Sequence, residues 1–266
     1  MKKNLLAVSM FVLLFISCSK VPITKRKQLN LLPESEMMSM ALTSYKEFLG
    51  QHPPVLSGND ASMVKNIGAK ISASVTKYMN QNGYAKRIQG YNWEFNLVNS
   101  QEVNAWCMPG GKVVVYSGLL PVTQDESSLA IVMGHEIAHA VARHGNERMS
   151  QMLAAQAGGM AADVLLAQKS AQTKTIFMTA YGVGTTLGTL AYSRTHETEA
   201  DKLGLIFAAM AGYDPQKAIA FWERMAAQGG AKPPELLSTH PSDQTRIKNL
   251  REFMPTALKY YHPGTK

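Results

Sequence analysis

The segment His135–His139, with the sequence HEIAH, constrains this chain more than any other feature. It lies in a stretch from Leu129 to Ala142 that contains no other ionisable residue, which predicts a buried helix. On a helix, residues four apart lie on one face about one turn apart, so His135 and His139 can reach a single metal ion. Glu136 then points roughly 100° away, close enough to act on a water molecule at that ion.

The alternative is a buried apolar helix that carries these polar residues by chance. Such a helix would bury two imidazoles and a carboxylate without partners, which costs several kcal/mol. The pattern therefore favours a zinc site, with Glu136 beside any water molecule held by the metal.

A catalytic zinc ion needs a third protein ligand and one open coordination position. A metzincin would place a third histidine six residues after His139, but Gly145 stands there. Further along, Glu197 and Asp201 lie four residues apart in a segment, residues 194–211, that is predicted to be helical. One of these carboxylates could bind the metal while the other orients a ligand histidine.

HEIAH followed by Glu-x-x-Ala-Asp resembles the gluzincin metallopeptidases of the HtpX and BepA type (metallopeptidase family forty-eight, which also contains the CaaX prenyl protease). The resemblance implies a zinc endopeptidase with one zinc ion per chain, held by His135, His139 and Glu197. It also implies that Asp201 supports a ligand histidine from behind. Glu136 would take the proton of the attacking water and pass it to the leaving amine.

The other histidines and acids near these motifs are assigned no metal role. The family pattern makes His196 and Glu199 bystanders, although either remains an alternative third ligand. His52, His144 and His262 have no comparable context, and we interpret each of them as structural or surface-exposed.

The segment Asn104–Gly111, NAWCMPGG, matches the family pattern Asn-Ala-Phe-x-x-Pro-Gly-Gly, which is an edge strand beside the cleft. An edge strand has free backbone donors and acceptors, so an extended peptide can add to it with little demand on side chains. The resemblance thus makes Asn104, Ala105 and Trp106 candidate substrate-binding residues. An ordinary sheet strand is compatible with the same residues.

A loop near the C-terminus, Ser238–Ser242 (STHPS), and Arg246 complete the match. In family members the loop histidine, here His240, lies near the metal. It could stabilise the oxyanion of the tetrahedral intermediate, with Arg246 as a further candidate, or take the fourth zinc position and hold the enzyme latent. A purely structural His240 is the third possibility.

Residues 1–17 have the proportions of a signal peptide rather than of a membrane span. Lys2 and Lys3 precede an uncharged segment, Leu5–Ser17, that is too short to cross a bilayer comfortably. The letters FISC at Cys18 resemble a bacterial lipobox, so we expect an acylated Cys18 that anchors the chain to a membrane. Ordinary secretion and an uncleaved anchor are the alternatives.

The cysteine and charge content bear on which other classes of protein this chain could belong to. Cys18 and Cys107 are the only cysteines, so a lipidated Cys18 leaves no pair for a disulfide-stapled fold. The net charge of +8 comes in part from a basic run over residues 20–27. We interpret residues 18–32 as a solvated tether rather than a contact for anionic lipid head groups. No motif supports nucleic-acid binding.

Periodicity predicts a helix-dominated α+β fold with one small antiparallel sheet, in a single peptidase domain over residues 33–266. The predicted strands form a meander of residues 93–97, 103–108 and 112–116. The predicted helices cover residues 33–48, 60–80, 125–148, 194–211, 214–227 and 242–253. Residues 150–190, rich in Ala, Gly, Met and Leu, are interpreted as a helical hairpin over the site, with a membrane-seeking or client-binding face as the alternative.

These expectations combine into a lipid-anchored zinc endopeptidase of the bacterial cell envelope, facing the periplasm at the outer membrane. The resemblance implies polypeptide substrates, namely misfolded or misassembled envelope proteins, and a role in protein quality control. The alternative is a lipid-anchored periplasmic chaperone or assembly factor with little proteolysis, which the apolar 150–190 segment and His240 would also suit. The sequence assigns no oligomeric state.

Overall fold

The computed structural model describes residues 18–157, 177, 180, 193–228, 236–237, 240 and 244–263. Its strands are β1 (Cys18–Lys20), β2 (Lys27–Leu29), β3 (Glu94–Val98), β4 (Ala105–Met108) and β5 (Lys112–Tyr116). Its helices are α1 (Glu34–Gln51), α2 (Asn59–Gln81), α3 (Glu126–Ala142), α4 (His144–Ala157), α5 (Arg194–Met210), α6 (Lys217–Ala227) and α7 (Gln244–Leu258), with short turns at Ala85–Ile88, Ser117–Leu119 and Leu120–Thr123. The predicted helix-dominated α+β class is confirmed.

The three-stranded sheet, in the order β3–β5–β4, forms the middle layer of the domain. Side chains alternate between its two faces. Val113 and Val115 of β5 join the core formed with α2, α3 and α5, whereas Val114 and Tyr116 face α1. Every residue of β4 and β5 is buried, since helices cover both faces of these strands.

Strand β5 lies between the other two and pairs antiparallel with β4 but parallel with β3. In the parallel pair, Glu94 is opposite Lys112. The antiparallel meander predicted from the sequence is therefore wrong for β3. The tight turn through Gly110 and Gly111, with φ of 83° and 81°, folds β5 back on β4 and places it beside β3. Among the described residues, β4 is an edge strand, as predicted.

The sequence predicts one helix over residues 125–148, but the structure breaks it at Arg143. Arg143 has a φ of 62°, in the left-handed region that commonly ends a helix. The single long helix is therefore wrong, and the break was hidden because arginine seldom adopts this conformation. After the break, α4 begins at His144, whose ring turns back toward His139, with 3.0 Å between their Nδ1 atoms.

Residues 18–32 are not the solvated tether that the sequence predicts. Strands β1 and β2 form an antiparallel hairpin that packs on the domain, with Val21, Gln28 and Leu32 buried. Arg87 links the hairpin to α3. Its Nη2 donates to Gln28 Oε1 at 2.8 Å, and its Nη1 donates to the Val141 carbonyl at 3.2 Å. The segment is therefore part of the folded domain, and the acylation of Cys18 stays a prediction.

In the part of the chain that the structure describes, no helix combines the length and the apolar character needed to cross a membrane. The predicted helical hairpin over 150–190 lies mostly outside the described residues, as does the predicted signal peptide. Helix α4 reaches Ala157, and beyond it Phe177 and Ala180 are buried against the core beside α1.

Candidate metal centre

Four buried side chains bring their donor atoms together at the centre of the domain: His135 and His139 from α3, Glu197 from α5, and His240. One ligand atom from each lies within 4.8 Å of all the others. The Nε2 atoms of the two α3 histidines are 3.0 Å apart, and Glu197 Oε1 lies 3.3 Å from His139 Nε2. This set of imidazole nitrogens and one carboxylate could hold a zinc ion.

The helices explain why these side chains converge. His135 and His139 are one turn apart on α3, as their spacing predicts. Ser193 caps α5 by accepting a hydrogen bond from the His196 backbone N–H at 3.2 Å. The cap places Glu197 in the first turn of α5, where the positive end of the helix dipole favours a carboxylate.

Asp201 lies behind the cluster, one turn beyond Glu197. Its Oδ1 accepts from His135 Nδ1 at 2.9 Å and from Arg246 Nη2 at 2.6 Å. Burial alone would raise the pKa of Asp201, but the charges of Arg246 and His135 hold that pKa below its usual value. The ionised carboxylate fixes the ring of His135 with Nε2 directed at the other ligand atoms.

Arg246 serves both carboxylates of this site. In addition to Asp201, it reaches Glu197, with 3.0 Å between Nη1 and Oε2. Its guanidinium lies flat on the ring of Trp222, 3.4 Å from the ring centroid, which fixes its plane. These contacts direct Arg246 at the acidic groups, whereas the sequence analysis had proposed it for the oxyanion.

Glu136 is buried next to the cluster, and among the described contacts its Oε1 accepts no hydrogen bond. The nearest charged partner is His240, whose Nε2 lies 3.5 Å from that oxygen. Burial raises the pKa of Glu136 to about 7, against the opposing effect of His240 and in the same direction as Glu197. A carboxyl group with a pKa near neutrality can both take and return a proton.

His240 lies inside the cluster, as the resemblance implied. Its Nδ1 is 2.9 Å from Glu197 Oε1 and 3.2 Å from His135 Nε2. The backbone N–H of His240 donates to the Leu236 carbonyl at 2.9 Å. Residues 238–239 and 241–243 on either side lie outside the described residues.

A second buried polar cluster, which we call the rear cluster, was missed by the sequence analysis. Its buried members are His144 and Glu147 of α4 and His196 and Glu199 of α5, and the partly exposed Arg26 of the hairpin joins them. The pairs cross between the helices, because His144 Nε2 is 3.0 Å from Glu199 Oε2 and His196 Nε2 is 3.0 Å from Glu147 Oε2. One feature of the sequence pointed to this cluster: on both helices a glutamate follows a histidine by three residues, at HGNE and HETE.

The three predicted substrate-binding residues have structural partners for their side chains. Trp106 packs edge-on against Tyr45 and Phe48 on the α1 face of the sheet, opposite the face that meets α3. Asn104 Oδ1 accepts the backbone N–H of Ala105 at 2.8 Å. Any contact with substrate would therefore use the backbone of this edge strand.

Comparison with known proteins decides the family. Residues 68–254 match the model of peptidase family M48. The chain belongs to this family. The resemblance noted in the sequence and the expectation of a metalloendopeptidase are both confirmed, and an M48 peptidase acts on polypeptides.

Its M48 relatives include mitochondrial and bacterial proteins. The chain is 32% identical over 257 residues to the mitochondrial metalloendopeptidase OMA1 of Schizosaccharomyces pombe, covering 91% of this chain and 68% of that protein. It is 35% identical over 164 residues to the beta-barrel assembly-enhancing protease of Escherichia coli K12, covering 60% and 34%. The human metalloendopeptidase OMA1 is 29% identical over 285 residues, covering 97% of this chain and 51% of the human protein. The chain thus spans about half the length of the human relative and about a third of the E. coli one.

Proposed function

We propose that this M48 chain is a zinc endopeptidase in which His135, His139 and Glu197 hold one zinc ion. The observation that carries the proposal is the convergence of their donor atoms beside the buried carboxyl group of Glu136. The chemistry that zinc supplies in such a site is polarisation of the scissile carbonyl and activation of water.

Glu136 acts as general base and then as general acid. Its buried Oε1, which accepts no hydrogen bond among the described contacts, takes the proton of the attacking water, and its pKa, raised to about 7 by burial, lets it pass that proton to the leaving amine. Asp201 and Arg246 act through the ligands, because Asp201 contacts His135 and Arg246 contacts both Glu197 and Asp201. Arg246 is therefore assigned a positioning role.

His240 is proposed as a latch. Its Nδ1 lies among the ligand atoms, 2.9 Å from Glu197 Oε1, so it is available as a fourth donor in the position that a substrate needs. A catalytic His240 that stabilises the oxyanion is the competing assignment. Removal of the side chain distinguishes the two, since an enzyme gains activity when a latch is lost and loses activity when a catalytic group is lost.

The proposed substrates are unfolded or misassembled proteins of the bacterial envelope, which add their backbone to the edge of β4. An edge strand selects extended chains with little demand on their side chains, which suits a quality-control protease. The name of the E. coli relative, a beta-barrel assembly-enhancing protease, supports a location in the bacterial envelope. The lipobox-like sequence that ends at Cys18 supports a lipid anchor, which we place at the outer membrane, facing the periplasm. The OMA1 relatives are named as mitochondrial metalloendopeptidases, which supports the endopeptidase activity.

The test is casein cleavage by the full chain, with zinc content measured on the same samples. Glu136→Gln should retain about one zinc per chain and lose nearly all hydrolysis, while the exposed Glu102→Gln serves as the matched control. Substantial cleavage by zinc-loaded Glu136→Gln would falsify the assigned role of Glu136. Client refolding that persists in this inactive variant would instead favour an assembly factor.

A further inference from the structure

Arg26, in the hairpin of β1 and β2, contacts both carboxylates of the rear cluster. Arg26 donates to Glu147 from Nη1 at 2.7 Å and from Nη2 at 2.8 Å. It also donates to Glu199 from Nε at 3.0 Å and from Nη2 at 2.9 Å. The guanidinium therefore holds two carboxylates, one from α4 and one from α5, in paired geometry.

The contacts of Glu199 lead through His144 to the proposed zinc ligand His139. Glu199 Oε2 is 3.0 Å from His144 Nε2, and His144 Nδ1 is 3.0 Å from His139 Nδ1. The Nε2 atom of His139 faces the ligand cluster, so His144 holds the far side of the same ring. A metal-binding histidine commonly has its second nitrogen fixed in this way, and loss of that partner weakens metal binding.

The tautomers follow from the partners. Both carboxylate oxygens of Glu199 accept hydrogen bonds from Arg26, and Oε1 accepts a further one from the Thr24 hydroxyl. Glu199 therefore accepts the Nε2–H of a neutral His144, which leaves His144 Nδ1 as the acceptor for the Nδ1–H of His139. The carboxylate thus fixes the hydrogen-bond direction of two successive rings, and Arg26 fixes the carboxylate.

We propose that Arg26 is a positioning residue for the metal centre, and that docking of the amino-terminal hairpin tunes zinc affinity through Glu199, His144 and His139. This inference rests on the proposed function, since it takes His139 as a zinc ligand. It gives the folded segment at residues 18–29 a task in the site, where the sequence had suggested only a tether.

Glu147, the second carboxylate that Arg26 contacts, provides a matched control. Glu147 binds the same guanidinium and receives a further hydrogen bond from Gln28 Nε2 at 3.1 Å, but its histidine partner is His196. Loss of the Glu147 charge weakens one of the two ion pairs of Arg26 but leaves the hydrogen bonds of Arg26 to Glu199 in place. Only the loss at Glu199 removes the acceptor that directs His144 toward His139.

The experiment compares Glu199→Gln, Glu147→Gln and Arg26→Ala, each in the full chain carrying Glu136→Gln. Zinc affinity is measured by competition with a chelator, the cobalt-substituted protein is examined by visible absorption, and the metal-free melting temperature reports folding. We expect Glu199→Gln and Arg26→Ala to weaken zinc binding about 10- to 100-fold and to alter the cobalt spectrum. Glu147→Gln should lower the melting temperature comparably but change zinc affinity less than about threefold, a difference within ordinary context effects.

Two milder variants cover the case in which one of these proteins fails to fold. Arg26→Lys retains the charge and should restore part of the affinity, and Thr24→Val removes only the hydroxyl that donates to Glu199 at 2.5 Å. Equal zinc affinity in Glu199→Gln and Glu147→Gln, or unchanged affinity in Arg26→Ala, overturns the inference. Unchanged zinc affinity in His139→Ala would instead overturn the proposed ligand set, so the two failures are distinguishable.

Discussion

A methyl group added to Gly204 would lie 2.7 Å from the backbone nitrogen of His135. The approach is reciprocal, since a methyl group on Gly134 would lie 2.9 Å from the Gly204 carbonyl oxygen. Helices α3 and α5 therefore meet backbone to backbone beside the metal centre. This contact sets the distance between the histidines of one helix and Glu197, which lies seven residues before Gly204 on the other.

Gly204→Ala should push α3 and α5 apart, because neither backbone can yield at that distance. We expect a loss of about 1–3 kcal/mol in the free energy of unfolding, together with weaker zinc binding, since Glu197 moves away from His135 and His139. Chemical denaturation and chelator competition measure the two effects. Gly50→Ala is the control, because nothing lies within 4 Å of an added methyl group in that helix. Unchanged zinc affinity in Gly204→Ala would contradict the role given to this contact.

His240→Ala should increase casein hydrolysis about tenfold or more, which corresponds to a latch worth about 1.4 kcal/mol. Zinc affinity should fall modestly, because one of the four clustered donors is lost. Rates are compared at equal zinc occupancy, with the exposed His262→Ala as control. A lower rate in zinc-loaded His240→Ala would instead identify His240 as a catalytic group.

Arg246→Ala should be severely destabilising, by about 3–5 kcal/mol, because Glu197 and Asp201 would remain buried without their shared cation. Arg246→Lys should recover only part of this loss, since one ammonium group cannot pair with both carboxylates and lie flat on Trp222. The exposed pair of Arg251 and Glu223 gives the comparison, where Arg251→Ala should cost less than about 1 kcal/mol. Similar losses at the two arginines, measured by urea denaturation, would rule out this account.

The stability that His144 contributes to the metal-free protein should be lost as the pH falls from about 6.5 to 4. Burial lowers the pKa of His144 from 6.5 to about 4, although Glu199 opposes the shift. Between these pH values His144 binds a proton in the unfolded chain but not in the folded chain, so its contribution to the free energy of unfolding decreases as the pH falls. The contribution of this one group is about 3 kcal/mol.

His144→Gln should remove that contribution, so its stability should depend less on pH over the same window. Urea denaturation in the presence of a chelator, at several pH values, gives both curves. Parallel curves for wild type and His144→Gln would show that His144 does not titrate in this way. Glu199 does not obscure the comparison above pH 4.5, since its pKa is lowered to about 2 and its contribution is lost only below 4.5.

The sequence reveals the parts of this site that depend on local geometry. Two histidines one turn apart, and two carboxylates one turn apart, keep their spacing in any helix, so their convergence could be predicted. The rear cluster could not, because Arg26 meets Glu147 and Glu199 across 121 and 173 residues of chain. Such pairings depend on how the elements pack, which no short motif encodes.

Two of the errors in the fold have related causes. The break at Arg143 depends on a left-handed conformation that arginine seldom adopts, so residue type gave no warning. The parallel pairing of β3 with β5 depends on which strand occupies the centre of the sheet. The alternation of apolar and polar residues shows which side chains share a face of a strand, but it does not show which strands lie beside it.

The docked hairpin also determines how far the peptidase can reach. Fifteen extended residues over 18–32 would let the catalytic cleft move roughly 50 Å from its point of attachment. Because β1 begins at Cys18 and the segment is folded onto the domain, a lipid on Cys18 would hold the cleft at a nearly constant height and orientation above the bilayer. Selection of clients would then depend on position as well as on unfolding, since only chains exposed in that thin layer would meet the enzyme.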